Sequence, residues 1–235
     1  LEEETGTILP DSPTANVSAD SIAGEKEEHE YPALSLAKTK STAELAKWAE
    51  GKPIWLSWKL DGLTLVATYD NGKLSKVVTR GNGHIGTNIT HLASAIEGIL
   101  PQIDNTGHIV IRGEAIISYT DFNVFNMEMG EEYANPRNLA SGSLTLKNIN
   151  EVKSRHIHWI PFTLVHTDED IVSWGNRMDF LEKLGFKTVE HQLISHPTQE
   201  NIGNVVQEWT EKLNSFDYPV DGLVISFDDT IYAAS

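Results

Sequence analysis

Three short runs in this sequence set a charged side chain beside a glycine. In Trp55-Leu56-Ser57-Trp58-Lys59-Leu60-Asp61-Gly62, the apolar and aromatic residues predict a strand that the charges end. Strand side chains alternate between faces, so Ser57, Lys59 and Asp61 share one face while Leu56, Trp58 and Leu60 share the other. A lysine amine is a covalent nucleophile when neutral, a state that burial or a nearby cation favours. The same spacing also fits a surface ion pair before a turn. Arg112 and Glu114 flank Gly113 in a second apolar run and again share a face, which suits a ligand contact or a solvated pair on a half-exposed sheet. Asp221-Gly222 opens a third run, and its carboxylate suits either a divalent cation, which prefers hard oxygen ligands, or a turn. Arg137 lies in a small-residue stretch, Tyr133 to Ser143, read as a tight polar loop where it serves as an anion ligand or as surface.

The elements that must position these residues are mostly strands. Asn71-Gly72 between two strand-like runs predicts an antiparallel hairpin over 63–79. Further strands are expected at 108–117, 158–165 and 220–227, with a strand-like run at 186–194. Ser41-Thr42-Ala43-Glu44 has capping-box spacing before a short helix stopped at Gly51. Helices are predicted at 90–99, 176–184 and 198–213, the last directing Ile202, Val205, Val206, Trp209 and Leu213 at a core. Phe162, judged alone, is a core residue. Gly81-Asn82-Gly83-His84-Ile85-Gly86 matches the dinucleotide pattern, but it follows the second arm of a hairpin instead of opening a βαβ unit. With Arg80 beside it, the loop can still cradle a phosphate or a ribose. Residues 1–40 are polar and turn-rich and read as an extended lead-in or linker, leaving 41–235 as the folded domain.

Across 235 residues, 40% are hydrophobic and 22% charged, enough apolar material for a sizeable core. The absence of cysteine excludes disulfides and thiolate metal sites, and the nine histidines show no metal-ligand spacing. No apolar run approaches a membrane span, so a cytoplasmic monomer is expected. The net charge of −16 disfavours non-specific clamping of nucleic acid, which needs clustered Lys and Arg. A chain that begins at Leu1 reads as part of something longer.

Lys59-Leu60-Asp61-Gly62, Thr79-Arg80-Gly81-Asn82-Gly83, Arg112-Gly113-Glu114, Ala134-Asn135-Pro136-Arg137-Asn138 and Asp221-Gly222-Leu223-Val224-Ile225 occur together in the order and rough spacing of bacterial NAD-dependent DNA ligases. The Pro10-Asp11-Ser12-Pro13-Thr14 and Leu34-Ser35-Leu36 segments resemble that family's lead-in. The resemblance implies an adenylation (nucleotidyltransferase) domain of the α+β class, with mainly antiparallel sheets flanked by helices and a nucleotide cleft between them. It implies that Lys59 attacks the α-phosphate of NAD, releases nicotinamide mononucleotide and carries AMP to a nick in DNA. Asp61 and Asp221 would serve the catalytic lysine and hold Mg2+. Ser35, Leu36, Arg80, Glu114, Arg137 and Phe162 would contact the nucleotide, Phe162 by stacking on adenine.

The chain departs from the family pattern at several positions. Ser57 stands where the family has Glu and Ser226 where it has Lys, both of which read the adenine; losing the opposite charges together avoids stranding one of them. Thr145 replaces an arginine and Asn82 a loop acid. The nicotinamide-recognition region, a distal lysine motif and the oligonucleotide-binding, zinc and helix-hairpin-helix modules expected of the family are not found in this stretch. The substitutions leave an alternative, a divergent paralogue that binds an adenine nucleotide without efficient transfer.

Overall fold

The structure is a computed structural model that describes residues 24–29, 41–130 and 133–235. Its centre is the predicted hairpin: strand β3 (Leu63–Asp70) turns through Asn71 at φ 49° and Gly72 at φ 81° into β4 (Lys73–Thr79). Two positive φ values in a two-residue turn match the twist of the flanking strands, and Asn-Gly adopts them readily. β6 (His108–Ile116) pairs with the other edge of β3, and β7 (His158–His166) pairs with β6. β5 (Ile85–Asn88) and β1 (Glu25–Glu28) complete a six-stranded sheet of order β1-β5-β4-β3-β6-β7. A smaller sheet has the order β8-β2-β9, with β2 at Ile54–Leu60, β8 at His191–Ile194 and β9 at Val220–Phe227. Every strand pair in both sheets is antiparallel.

Period-two alternation decides what each sheet buries. Leu65, Ala67 and Tyr69 of β3 and Ile109, Ile111 and Ala115 of β6 enter one large core. That core is closed by α3 (Pro136–Ser143), α4 (Ile149–Lys153) and α5 (Trp174–Lys183). Arg112 and Glu114 alternate onto the opposite face. In the smaller sheet Ile54, Leu56 and Trp58 enter a second core with Ala49 of α1 (Thr42–Ala49) and with Ile202 and Trp209 of α6 (Gln199–Lys212). Ser57 and Lys59 alternate away from it. Helices α2 (Tyr119–Met129) and α7 (Thr230–Ala234) complete the α+β architecture of antiparallel sheets flanked by helices. Among the described residues, no helix is long and apolar enough to cross a membrane.

Several elements differ from expectation. The stretch Tyr133 to Ser143 is no simple loop: Pro136–Ser143 is helical, with Asn135 Oδ1 accepting from Asn138 N at 2.8 Å and Pro136 in the first turn. An Asn cap followed by Pro starts a helix, because the first turn has no intrahelical use for that N–H. The helix expected at 90–99 is a 3-10 helix over Thr90–Ala95; Ile96 is extended, and Glu97 then forms a parallel bridge with His158. The 186–194 run is a strand only over its last four residues. Lys59 keeps its predicted face, but the strand ends at Leu60, and Asp61 lies in the turn with its N–H donated to Pro219 O at 2.9 Å. Within the predicted lead-in, Glu25–Glu28 is an edge strand of the larger sheet. Ser35 and Leu36 lie outside the described residues.

Candidate active site

β2 brings Lys59 to the end of the smaller sheet, where its pairing with β9 skips register between Trp58 and Leu60. The skip sets Asp221 and Gly222 of β9 opposite Lys59, and Lys59 Nζ lies 3.6 Å from Asp221 Oδ2. Both side chains are partly open to solvent, at 35% and 44% exposure, so a ligand can reach the amine. One turn onward, Asp61 Oδ1 accepts from Arg137 Nη1 at 3.4 Å. Arg137 is the second residue of α3, so the Asn135 cap that starts the helix also delivers this guanidinium.

The larger sheet supplies the facing wall. Glu114 is buried, with Oε2 accepting from Gly62 N at 3.0 Å and Oε1 from Thr64 Oγ1 at 2.8 Å. Burial pushes its carboxyl up to about 7; the bonds from Thr64 and Gly62 and the charge of Arg137 oppose that rise, while Asp61 adds to it. Gly62 admits this packing because a Cβ there would lie 2.1 Å from Ala115 O. Arg80 and Arg112 are held below the usual guanidinium range, first by burial and then by like charge: Arg137 acts on Arg80, and Arg80 on Arg112. Glu114 offsets part of this for Arg80. Arg80, Arg112 and Arg137 therefore form a cationic cluster in a chain of net charge −16, where field focusing favours an anionic ligand.

The glycine-rich loop is not an open phosphate cradle. Asn82 Oδ1 accepts from His84 N and Ile85 N, Asn82 N donates to Ile85 O and Gly83 N to Arg80 O, so the amides of residues 82 to 85 are already used. Phe162 lies at the register shift between β6 and β7; with Ile160, the cross-strand partner of Glu114, it packs partly buried against the second core. That places it at the seam between the sheets. Thr145 is exposed and bonds to Gly142 O at 2.7 Å.

Four residues back along β2 from Lys59, at Trp55, a residue absent from the constellation read in the sequence joins the smaller sheet to α5. Asp228 Oδ1 accepts from Trp55 Nε1 at 2.7 Å, Ser173 Oγ at 2.8 Å and Gly175 N at 3.1 Å. Burial alone would raise its pKa, yet these three donors outweigh it and hold the carboxyl below its ordinary value. Its neighbour Phe227 ends β9, and an acid just past an apolar strand gives no distinctive signal in sequence. A cavity of about 780 Å3 lies behind this junction, lined among others by Glu169, Asp170, Asp179, Asp228 and Asp229. Its wall is mostly acidic, and Lys59 is not part of it.

Among the described residues, no group of three or more His, Cys, Asp or Glu side chains could hold a metal ion. Magnesium asks for less, because it keeps several waters and takes one or two carboxylates together with substrate phosphate. Asp221, 3.6 Å from the Lys59 amine, and Asp61, two residues further along the chain, fit that partial donor set.

Comparison with known proteins identifies the family. The family model described as NAD-dependent DNA ligase adenylation domain matches residues 23–234. A DNA ligase of Lachnoclostridium phytofermentans is 39% identical over 241 residues, covering 100% of this chain and 36% of its own length. A DNA ligase of Ruminiclostridium cellulolyticum is 40% identical with the same coverage. The chain thus spans about a third of the length of these relatives. Among solved structures, mycobacterial DNA ligase D complexed with ATP and MES aligns at a TM-score of 0.45 and 14% identity, over 85% of this chain and 54% of that one. With nearly all of its length matched by one family, the chain belongs to the NAD-dependent DNA ligase adenylation domains.

Proposed function

We propose that residues 41–235 act as the adenylating unit of an NAD-dependent DNA ligase. The observation that carries this reading is the Lys59 Nζ–Asp221 Oδ2 approach of 3.6 Å at a solvent-accessible strand end, with Arg137 held on Asp61 two residues onward. The Lys59 amine attacks the α-phosphorus of NAD, forming an N–P bond. The pyrophosphate P–O bond breaks, and nicotinamide mononucleotide leaves with its electron pair. Asp221 lies close enough to receive the amine's proton and pass it to solvent. Arg137 and Arg80 offset the phosphate charge, and Glu114 braces the turn that carries Asp61. Magnesium held by Asp221 and Asp61 would screen the phosphate and favour the neutral amine. In the longer protein, as a monomer, the lysyl adenylate passes AMP to a 5′-phosphate at a nick, and a 3′-hydroxyl displaces AMP to seal the strand.

Mass spectrometry after incubation with NAD and Mg2+ tests the first step. An adenylate on Lys59, removed by added nicotinamide mononucleotide and absent in Lys59→Ala, is expected. A second reading, nucleotide binding without transfer, is favoured by Ser57, Ser226 and Thr145 standing where the resemblance places charged residues. Calorimetric binding of AMP or NAD with no covalent adduct would select it.

A further inference from the structure

The groove has two chemically different ends. At one end Lys59 pairs with Asp221 and Asp61 with Arg137, and the charge of Arg137 acts in turn on Arg80, a charged set that suits a phosphate. In the other direction along β2 the environment turns aromatic and neutral. Strand register puts His191 of β8, Ser57 of β2 and Val224 of β9 in one row across the smaller sheet, so all three share the Lys59 face. The next row is Leu193, Trp55 and Ser226. Ser57 is only 4% exposed against 35% for the Lys59 side chain, so neighbouring side chains shield this row from water more than they shield the amine. Two residues along a strand cover about 7 Å, a span of the order that a ribose sets between a phosphorus and its base. A nucleoside joined to Lys59 and running toward Ser57 therefore lays its flat base in the neutral row.

The tautomer of His191 is fixed by its surroundings. Its Nδ1 lies 2.7 Å from Val189 O, and a carbonyl only accepts, so Nδ1 carries the proton. In the neutral ring Nε2 is then an acceptor. Trp55 and Trp174 meet the ring edge-on at centroid distances of 5.2 and 5.3 Å, which holds its plane. Ser57 beside it can donate or accept, so the row offers one fixed acceptor and an adaptable hydroxyl. Adenine presents an exocyclic amine donor on this edge; hypoxanthine presents a carbonyl, which would face the Nε2 lone pair.

We propose that His191 is the specificity-determining residue for the base, its Nε2 accepting from the adenine amine while Ser57 and Ser226 flank that edge. The assignment rests on the nucleotide-binding reading above and adds to it which group selects the base.

The test is calorimetric binding of AMP, IMP and purine ribonucleoside monophosphate, which lacks the amine, to the full chain and to His191→Phe and His191→Gln. The parent is expected to bind AMP about fivefold more tightly than the des-amino analogue, the equivalent of one hydrogen bond, and to bind IMP more weakly still. His191→Phe keeps the aromatic packing and loses the acceptor; it should bring all three ligands within about twofold, mainly by weakening AMP. His191→Gln, with a carbonyl oxygen, should recover part of the preference. Thermal melting of each variant reports folding separately. An AMP preference that persists undiminished in folded His191→Phe overturns the assignment and leaves the nucleotide site standing. Failure of the parent to bind any of the three overturns both.

Discussion

At the closed end of the groove one carboxylate oxygen of Asp228 gathers three donors between 2.7 and 3.1 Å, whereas at the open end Asp61 and Asp221 each face a cation at 3.4 and 3.6 Å. The first set is short, directional and partly buried, and it ties β2 and β9 to α5. The second is longer and half-exposed, a kind of contact that contributes little to stability and is readily replaced by a ligand. The smaller sheet is therefore fixed to α5 at the junction, while the Lys59 end stays adjustable. Glu114 sharpens the contrast, since keeping its carboxylate buried in the facing wall costs stability that Asp228 does not cost.

The largest test of that contrast is a pH scan of stability. The carboxyl of Glu114 is raised from 4.5 to about 7 in the folded state, so between those values the folded chain holds a proton that the unfolded chain has lost. Stability should fall as pH rises through this window, by an amount on the order of 3 kcal/mol, and then level off. Glu114→Gln should flatten the fall and be the more stable form at pH 8; a parallel decline in parent and variant would remove Glu114 as its source. Next in size, Asp228→Ala should cost about 2 kcal/mol in chemical denaturation, because it leaves three donors without their acceptor. A cost below that of a surface substitution would undo the junction's role. Asp228 also titrates in the opposite sense: its lowered pKa makes its contribution present above the ordinary carboxylate value and lost as pH falls from there through the lowered folded value. That acid limb should vanish in Asp228→Asn. Smallest, Arg137→Ala should change stability by about 0.5 kcal/mol or less while weakening NAD binding severalfold. If stability suffers more than binding, the open end is structural after all.

Much of this could be read from the residues alone. Alternation along β2 separated Lys59 and Ser57 from Leu56 and Trp58, and Asn71-Gly72 announced the hairpin, because both signals are local. The Asn135-Pro136 helix start was equally local, but the small polar residues after it looked like loop. Asp61 left the strand face because β2 ends one residue before it, and strand ends depend on partner strands. The Gly81–Gly86 loop closed on Asn82, which only hydrogen-bond geometry reveals. Asp228 and His191 were invisible for another reason: their partners, Trp55, Ser173 and Trp174, come together only when β2, β8, β9 and α5 have assembled.

The skipped register between Trp58 and Leu60 limits how this chain can change. Side chains in β2 and β9 can be exchanged for others of similar size without re-aiming Lys59. Adding or deleting a single residue in either strand would turn the amine into the packed interior or carry Asp221 out of reach. The pair therefore tolerates drift in composition and none in count.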